Sequence, residues 1–197
     1  MITYEIGGRL YLNVTNQCNN RCLFCVRDQA EGVGVDLWLK HEPSTQEIIE
    51  AVGDAQGYAE AVFCGYGEPL LRLPEVLETA RHLKRLGKTV RVNTNGLAQM
   101  VWGRPVAAEL AEVVDEISIS LNAADAMAYD KLCQPEAGPK AYDALLAFAR
   151  DCVRHISKVT LTVVDLIPPQ EIEACAAIAR ELGASFKVRS YQGEDQE

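Results

Sequence analysis

The chain has 197 residues, 19 Lys and Arg against 28 Asp and Glu, and a formal net charge of −9. Its hydrophobic share of 48% suits a packed core of ordinary domain size and excludes intrinsic disorder. No apolar run reaches the roughly 18 residues of a membrane helix. The first residues, Met1-Ile2-Thr3-Tyr4-Glu5, carry no basic-then-apolar signal, and the acidic balance argues against general binding to duplex nucleic acid. The expectation is a cytoplasmic protein.

In chain order, Leu10–Thr15 is the first strand candidate, short and bounded by polar residues. A cysteine cluster follows, and then Val26–Pro43, the longest irregular stretch, of the kind that is functional or mobile inside a compact domain. Ser44 and Glu47 form a capping box ahead of Ile48, Ala51, Val52 and Ala55 at helical spacing. Ala61–Cys64 is the second strand. Pro74 then opens a helix, with Glu75 and Glu78 near its positive end and Gly87 closing it. Lys88–Asn93 is the third strand, and Pro105 opens a helix through Val114. After the fourth strand, Glu116–Leu121, Asn122 is a candidate cap for the helix carrying Tyr129 and Leu132. The helix Gly138–His155, the strand Lys158–Val164, the helix Pro168–Leu182 and the strand Ser185–Ser190 complete the set. Six strands alternating with helices predict a mostly parallel sheet, and right-handed crossovers leave a doubly wound sheet or a barrel, complete or partial. No linker, repeat or low-complexity tract appears, so residues 1–197 read as a single domain.

Seven cysteines are present, and three of them, Cys18, Cys22 and Cys25, fall within eight residues as C-x3-C-x2-C. In a reducing compartment such clustering points to a metal or to catalysis. Structural zinc wants four ligands, and no fourth Cys or His lies nearby; zinc on three cysteines plus water or His41 stays open. An iron–sulfur cluster normally takes four cysteines, so three leave one iron free for chemistry.

The cluster, with the aromatic Phe24 just before Cys25, resembles the signature of the radical S-adenosylmethionine (radical SAM) superfamily. Gly65-Tyr66-Gly67-Glu68-Pro69 is similar to its G-G-E-P segment, Asn93-Thr94-Asn95-Gly96 to its T-N-G segment, and Ser118-Ile119-Ser120-Leu121-Asn122 to its fourth strand. Asn13-Val14-Thr15-Asn16, Leu37-Trp38-Leu39 and Cys64–Pro69 further resemble the TatD-associated radical SAM subfamily.

The resemblance implies an α/β fold, a partial (β/α)6 TIM-like barrel with mostly parallel strands and the site at the strand C-termini. It implies one oxygen-sensitive [4Fe-4S] cluster on Cys18, Cys22 and Cys25, with SAM on the open iron. Reductive cleavage of SAM would then give a 5′-deoxyadenosyl radical that abstracts hydrogen from an unidentified substrate. Gly65, Tyr66, Gly67, Glu68 and Pro69 would wall the methionine ammonium, with Tyr66 standing where the family more often has glycine. Ser120 and Asn122 would contact the ribose, with Phe24 at the family's aromatic position. Thr94 and Asn95 rank below them, since Asn95-Gly96 is also ordinary turn chemistry, and Asp165 ranks last.

A flavodoxin- or ferredoxin-type electron donor is the implied partner. The stripe Arg81, Lys84, Arg85 and Lys88 could touch such a donor, although a solvated helix face explains it better. Cys64, Cys133, Cys152 and Cys175 read as packing thiols, and His82 and His155 lack ligand-like neighbours. The competing readings are a non-catalytic iron–sulfur electron-transfer protein and a zinc-binding module.

Overall fold

The computed structural model describes residues 1–28 and 34–191; residues 29–33 of the long Val26–Pro43 stretch lie outside the described residues. The chain begins with a hairpin. Strands β1 (Thr3–Ile6) and β2 (Arg9–Leu12) pair antiparallel around Gly7-Gly8, both at positive φ (56° and 73°), as a tight two-residue hairpin turn requires. From β2 onward every neighbour is parallel: β3 (Glu60–Phe63), β4 (Thr89–Thr94), β5 (Glu116–Ser120), β6 (Lys158–Val164) and β7 (Ser185–Arg189). The order β1-β2-β3-β4-β5-β6-β7 follows the sequence, and no pairing joins β7 to β1 among the described residues. A sequential parallel order is that of a barrel wall, not of a doubly wound sheet. The fold is therefore an open, partial barrel of six parallel strands, with the antiparallel β1 added at one edge.

Side chains alternate across the pleat. Leu10, Leu12, Ala61, Phe63, Val90, Val92, Ile117, Ile119, Leu161 and Val163 form the buried face packed against the helices. These helices are α1 (Thr45–Val52), α2 (Leu73–Arg85), α3 (Ala98–Trp102), α4 (Ala107–Ala111), α5 (Ala126–Cys133), α6 (Lys140–His155) and α7 (Pro169–Leu182). Helix α1 starts with the capping box, Ser44 accepting from Glu47 N while the Glu47 carboxylate accepts from Ser44 N at 2.8 Å. Helix α4 is shorter than the expected Pro105–Val114, because Val113 and Val114 turn into the core.

Asn122 does not cap α5. Asp125 does, its carboxylate accepting from Met127 N and Ala128 N at 2.9 Å. Asn122 instead sits at φ 59° and is buried, a backbone conformation that asparagine tolerates better than most residues.

The opposite, concave face differs along its width. At the hairpin edge it is filled by Tyr4, Tyr66 and Leu37, with Tyr11 and Val26 packed against them. Across β4 to β7 it is polar, carrying Arg91, Asn93, Ser118, Ser120, Thr160, Thr162, Lys187 and Arg189 in register. The N-terminal rim of this face is an alternating ion-pair row. Glu60 pairs with both Arg9 and Arg91, and Glu116 with Lys158 at 2.7 Å.

Candidate active site

The cysteine loop leaves the C-terminal end of β2 and is clamped from two sides by backbone hydrogen bonds. On one side Glu68 N donates to Gln17 O at 2.8 Å. On the other, Arg21 N donates to Cys133 O and Leu23 N to Leu132 O, both at 3.0 Å, while Glu136 N donates to Asn19 O at 2.9 Å. The strand-end turn after β3 and the last turn of α5 thus hold a loop that has no regular structure of its own.

Cys18, Cys22 and Cys25 are all half-buried. Burial, with the nearby Glu68 charge, pushes the Cys18 thiol up to about 12. Cys22 is raised by its hydrogen bond with Cys133 and then by burial, and Cys25 is raised mainly by burial. Three thiols held protonated on one loop ionise readily only when a cation arrives, which is what a metal centre supplies. Among the described residues no group of three His, Cys, Asp or Glu side chains is arranged around a single metal ion. A cuboidal cluster, which gives each thiolate its own iron, spaces its ligands more widely than one zinc ion does. His41, the alternative zinc ligand, is exposed and bonded to Glu47 at 2.8 Å.

The Gly65–Pro69 turn is built for close packing. A Cβ on Gly65 would overlap the Asn13 side chain, and one on Gly67 would overlap the carbonyls of Thr15 and Gln17. Both glycines therefore bring the β3 turn against the base of the cysteine loop. Glu68 is 5% exposed. Its carboxylate accepts from Leu70 N (3.0 Å), Thr94 Oγ1 (2.7 Å) and Asn95 N (2.7 Å), yet burial still lifts its pKa to about 7. Asn95 is thereby fixed above the loop, its Nδ2 donating to Asn19 Oδ1 at 2.6 Å and lying 4.0 Å from Cys18 Sγ. Glu68, Thr94 and Asn95 form one relay from the β3 turn through the end of β4 to Cys18.

Tyr66 turns into the aromatic group with Tyr4 and Leu37 and meets Trp38 edge-on at 5.2 Å. Asn13 Nδ2 donates to Leu37 O at 2.5 Å, and Asn16 exchanges two hydrogen bonds with Leu39. Asn13–Asn16, Leu37–Leu39 and Cys64–Pro69 thus meet at one corner of the fold. Phe24 is half-buried and packs on the main core.

Ser120 lies on the concave face and accepts from Arg189 Nη2 at 3.4 Å, whereas Asn122 points Nδ2 at Cys133 Sγ, 3.6 Å away. The ribose role implied for Asn122 thus competes with a contact to a cysteine. Asp165 is exposed and accepts from Tyr191 N at 2.7 Å, bracing the end of β7.

Two cysteines read as packing thiols take other places. Cys133 adjoins Cys22, and Cys64 is half-buried on the concave face beside Asn93, where the alternation of β3 puts it. Cys152 and Cys175 are buried in the main core. Lys187 and Arg189, which the sequence reading did not single out, bring two cations to the polar half of the trough with no acidic partner among the described residues. Lys84 pairs with Asp115, Arg81 reaches Glu112 at 3.9 Å and Lys88 bonds Tyr58 O, so the basic stripe is largely engaged by the protein itself. Beside Cys18 a cavity of about 520 Å³ opens between Gln17, Asn19, Arg21, Arg27, Leu71 and Glu136.

The chain is thus an open parallel barrel with a three-thiol loop at the mouth of its first parallel strand. Its radical SAM family model matches residues 12–181, and the chain belongs to the radical SAM superfamily, whose enzymes use a [4Fe-4S] cluster and SAM. It is 26% identical over 193 residues to a probable GTP 3′,8-cyclase of Thermococcus kodakarensis, covering 94% of this chain and 58% of that protein. It is 29% identical over 171 residues to the GTP 3′,8-cyclase of Lactiplantibacillus plantarum, covering 82% and 48%. Streptococcus suis SuiB bound to S-adenosylmethionine shares the fold with a TM-score of 0.70 at 17% identity, over 95% of this chain and 40% of that one. The chain spans about half the length of these curated relatives.

Proposed function

We propose that Cys18, Cys22 and Cys25 bind one [4Fe-4S] cluster whose fourth iron takes SAM, and that the chain catalyses radical hydrogen abstraction from an anionic substrate in the concave trough. The observation that carries this reading is the set of three half-buried thiols on one loop, held by Glu68 and Asn95 at the C-terminal end of the parallel sheet. When bound, the cluster and SAM supply the electron and the carbon-centred radical.

The chain's own residues position and exclude. Asn95 offers an amide hydrogen toward Cys18, the Tyr4, Tyr66 and Leu37 group keeps water from one side of the trough, and Ser120 offers a hydroxyl on its floor. Lys187 and Arg189 are cations that a phosphate or carboxylate would neutralise. The relatives named GTP 3′,8-cyclase make a nucleotide the first substrate class to try.

We assign the cavity beside Cys18, with Arg21 and Arg27, to an acidic electron carrier of flavodoxin or ferredoxin type. Residues 1–197 act in this reading as a single radical SAM core, working in the cytoplasm, where thiols stay reduced. Among the described residues no helix is long and apolar enough to cross a membrane.

The test is anaerobic reconstitution with iron and sulfide, followed by dithionite and SAM. The expected result is a brown protein that yields 5′-deoxyadenosine. Cys22→Ala is expected to lose both colour and product; a colourless, zinc-loaded wild type without product overturns the proposal.

A further inference from the structure

Cys133 is the last residue of α5 and is 0% exposed. The helix stops there because Gln134 turns to φ 43°, and the freed carbonyls of Leu132 and Cys133 accept from the backbone on both sides of Cys22. The two backbone bonds bracket Cys22 and hold it beside the end of α5, where the Cys133 thiol is the foremost influence on its ionisation.

Asn122 completes the arrangement. At φ 59° its Nδ2 donates to Cys133 Sγ at 3.6 Å, so the lone pairs of Cys133 are engaged from behind and its S–H is free to point at Cys22. Among the described residues the side-chain oxygens of Asn20 and Asn122 are buried without a hydrogen-bond partner, so polar capacity remains beside the two thiols. Asn20 Nδ2 itself is fixed by Tyr129 Oη at 3.0 Å.

We infer that Cys133 donates a hydrogen bond to the iron-bound Cys22 thiolate and so raises the cluster's reduction potential without ligating iron. The inference rests on the ligand assignment proposed above. A thiolate bound to iron can only accept, so the shared proton must come from Cys133. Reduction adds negative charge to the cluster, and a donor aimed at a ligand sulfur favours that state. Cys133 is thus a positioning residue, and its effect falls on a potential before it falls on a rate.

The experiment is an EPR-monitored redox titration of reconstituted wild type, Cys133→Ala and Cys133→Ser. The alanine variant is expected to titrate at a more negative potential and to lose iron to a chelator about tenfold faster. The serine variant, which keeps an O–H donor, should stay nearer the wild type. All three should bind four irons and give the same SAM-induced change in the EPR signal.

An alanine variant at the wild-type potential overturns the inference. So does one in which the SAM response appears or is enhanced, since that makes Cys133 a ligand. A second measurement needs neither the cluster nor a variant. The apoprotein treated with diamide should form a Cys22–Cys133 disulfide, two thiols giving up two protons and two electrons as diamide becomes its hydrazine. Peptide mapping that joins Cys22 only to Cys18 or Cys25 overturns the contact. Failure of the ligand assignment reads out separately, as Cys22→Ala retaining colour.

Discussion

Glu68→Gln isolates the cost of keeping a carboxylate in the relay that fixes Asn95. In the wild type three donors converge on the two carboxylate oxygens, two on Oε1 and one on Oε2. Glutamine keeps the shape but leaves at least one of these donors facing an NH2, a loss of about 1–3 kcal/mol. The carboxylate carries an opposing cost, because burial raises its pKa from 4.5 to about 7. Below pH 4.5 the group is protonated in both folded and unfolded chains. Between 4.5 and 7 the unfolded chain gives up the proton first, so stability falls with rising pH. At 1.36 kcal/mol per pH unit, that difference amounts to about 3 kcal/mol, complete above pH 7. The variant lacks this slope. In urea unfolding of the reduced apoprotein, Glu68→Gln should be less stable than wild type by about 1–3 kcal/mol at pH 5 and equal or more stable at pH 8. Cys18, whose thiol feels the Glu68 charge, is pushed up to about 12 and so stays protonated throughout pH 5 to 8, leaving the difference to Glu68 itself. A stability difference that does not change between pH 5 and pH 8 refutes the buried-charge account.

Gly67→Ala should cost at least about 2 kcal/mol, because the new Cβ meets two backbone carbonyls that cannot rotate away; melting should fall by roughly 4–8 °C, and an unchanged melt would show that the β3 turn does not press on the cysteine loop. Asn95→Ala removes the 2.6 Å bond to Asn19 and the acceptor for Leu97 N, so iron should leave the reconstituted protein faster in chelator; an unaltered release rate removes Asn95 from the loop's support. Arg189→Ala is expected to weaken binding of GTP, used as a probe anion, about tenfold in calorimetry, the worth of one charge-assisted hydrogen bond. Equal affinity in both proteins detaches Arg189 from the anion site.

The strands and the cysteine loop were legible because their signals are local. Alternation, glycine and proline punctuation and the Ser44–Glu47 capping box lie within windows of a few residues. The strand Thr3–Ile6 went unread although its sign was there: Gly7-Gly8 between Tyr4-Glu5-Ile6 and Arg9-Leu10-Tyr11 is hairpin spelling. Asn122 was read as a helix cap because asparagine suits both a cap and a left-handed turn, and only Asp125, three residues on, decides between them. The place of Cys133 had no local sign. It meets Cys22 from 111 positions away in sequence (133 − 22), through a carbonyl at a helix end. Lys187 and Arg189 stayed hidden for a related reason. Alternation along one exposed strand does not tell which face is concave until the parallel register with β6 is known.

Among the described residues strand β7 is bonded to β6 alone, and four of its five residues are exposed. Such a free rim is a template for a second copy to add a strand, and charges along it oppose that pairing. Lys187 and Arg189, the cations read as anion ligands, are charges of the kind that oppose such pairing wherever this rim is open. Neutralising both at once would couple loss of binding to loss of solubility, so site mapping on this strand calls for single substitutions monitored by light scattering. By the same logic a bound anion, by masking these charges, would itself bring two chains closer to pairing edge to edge.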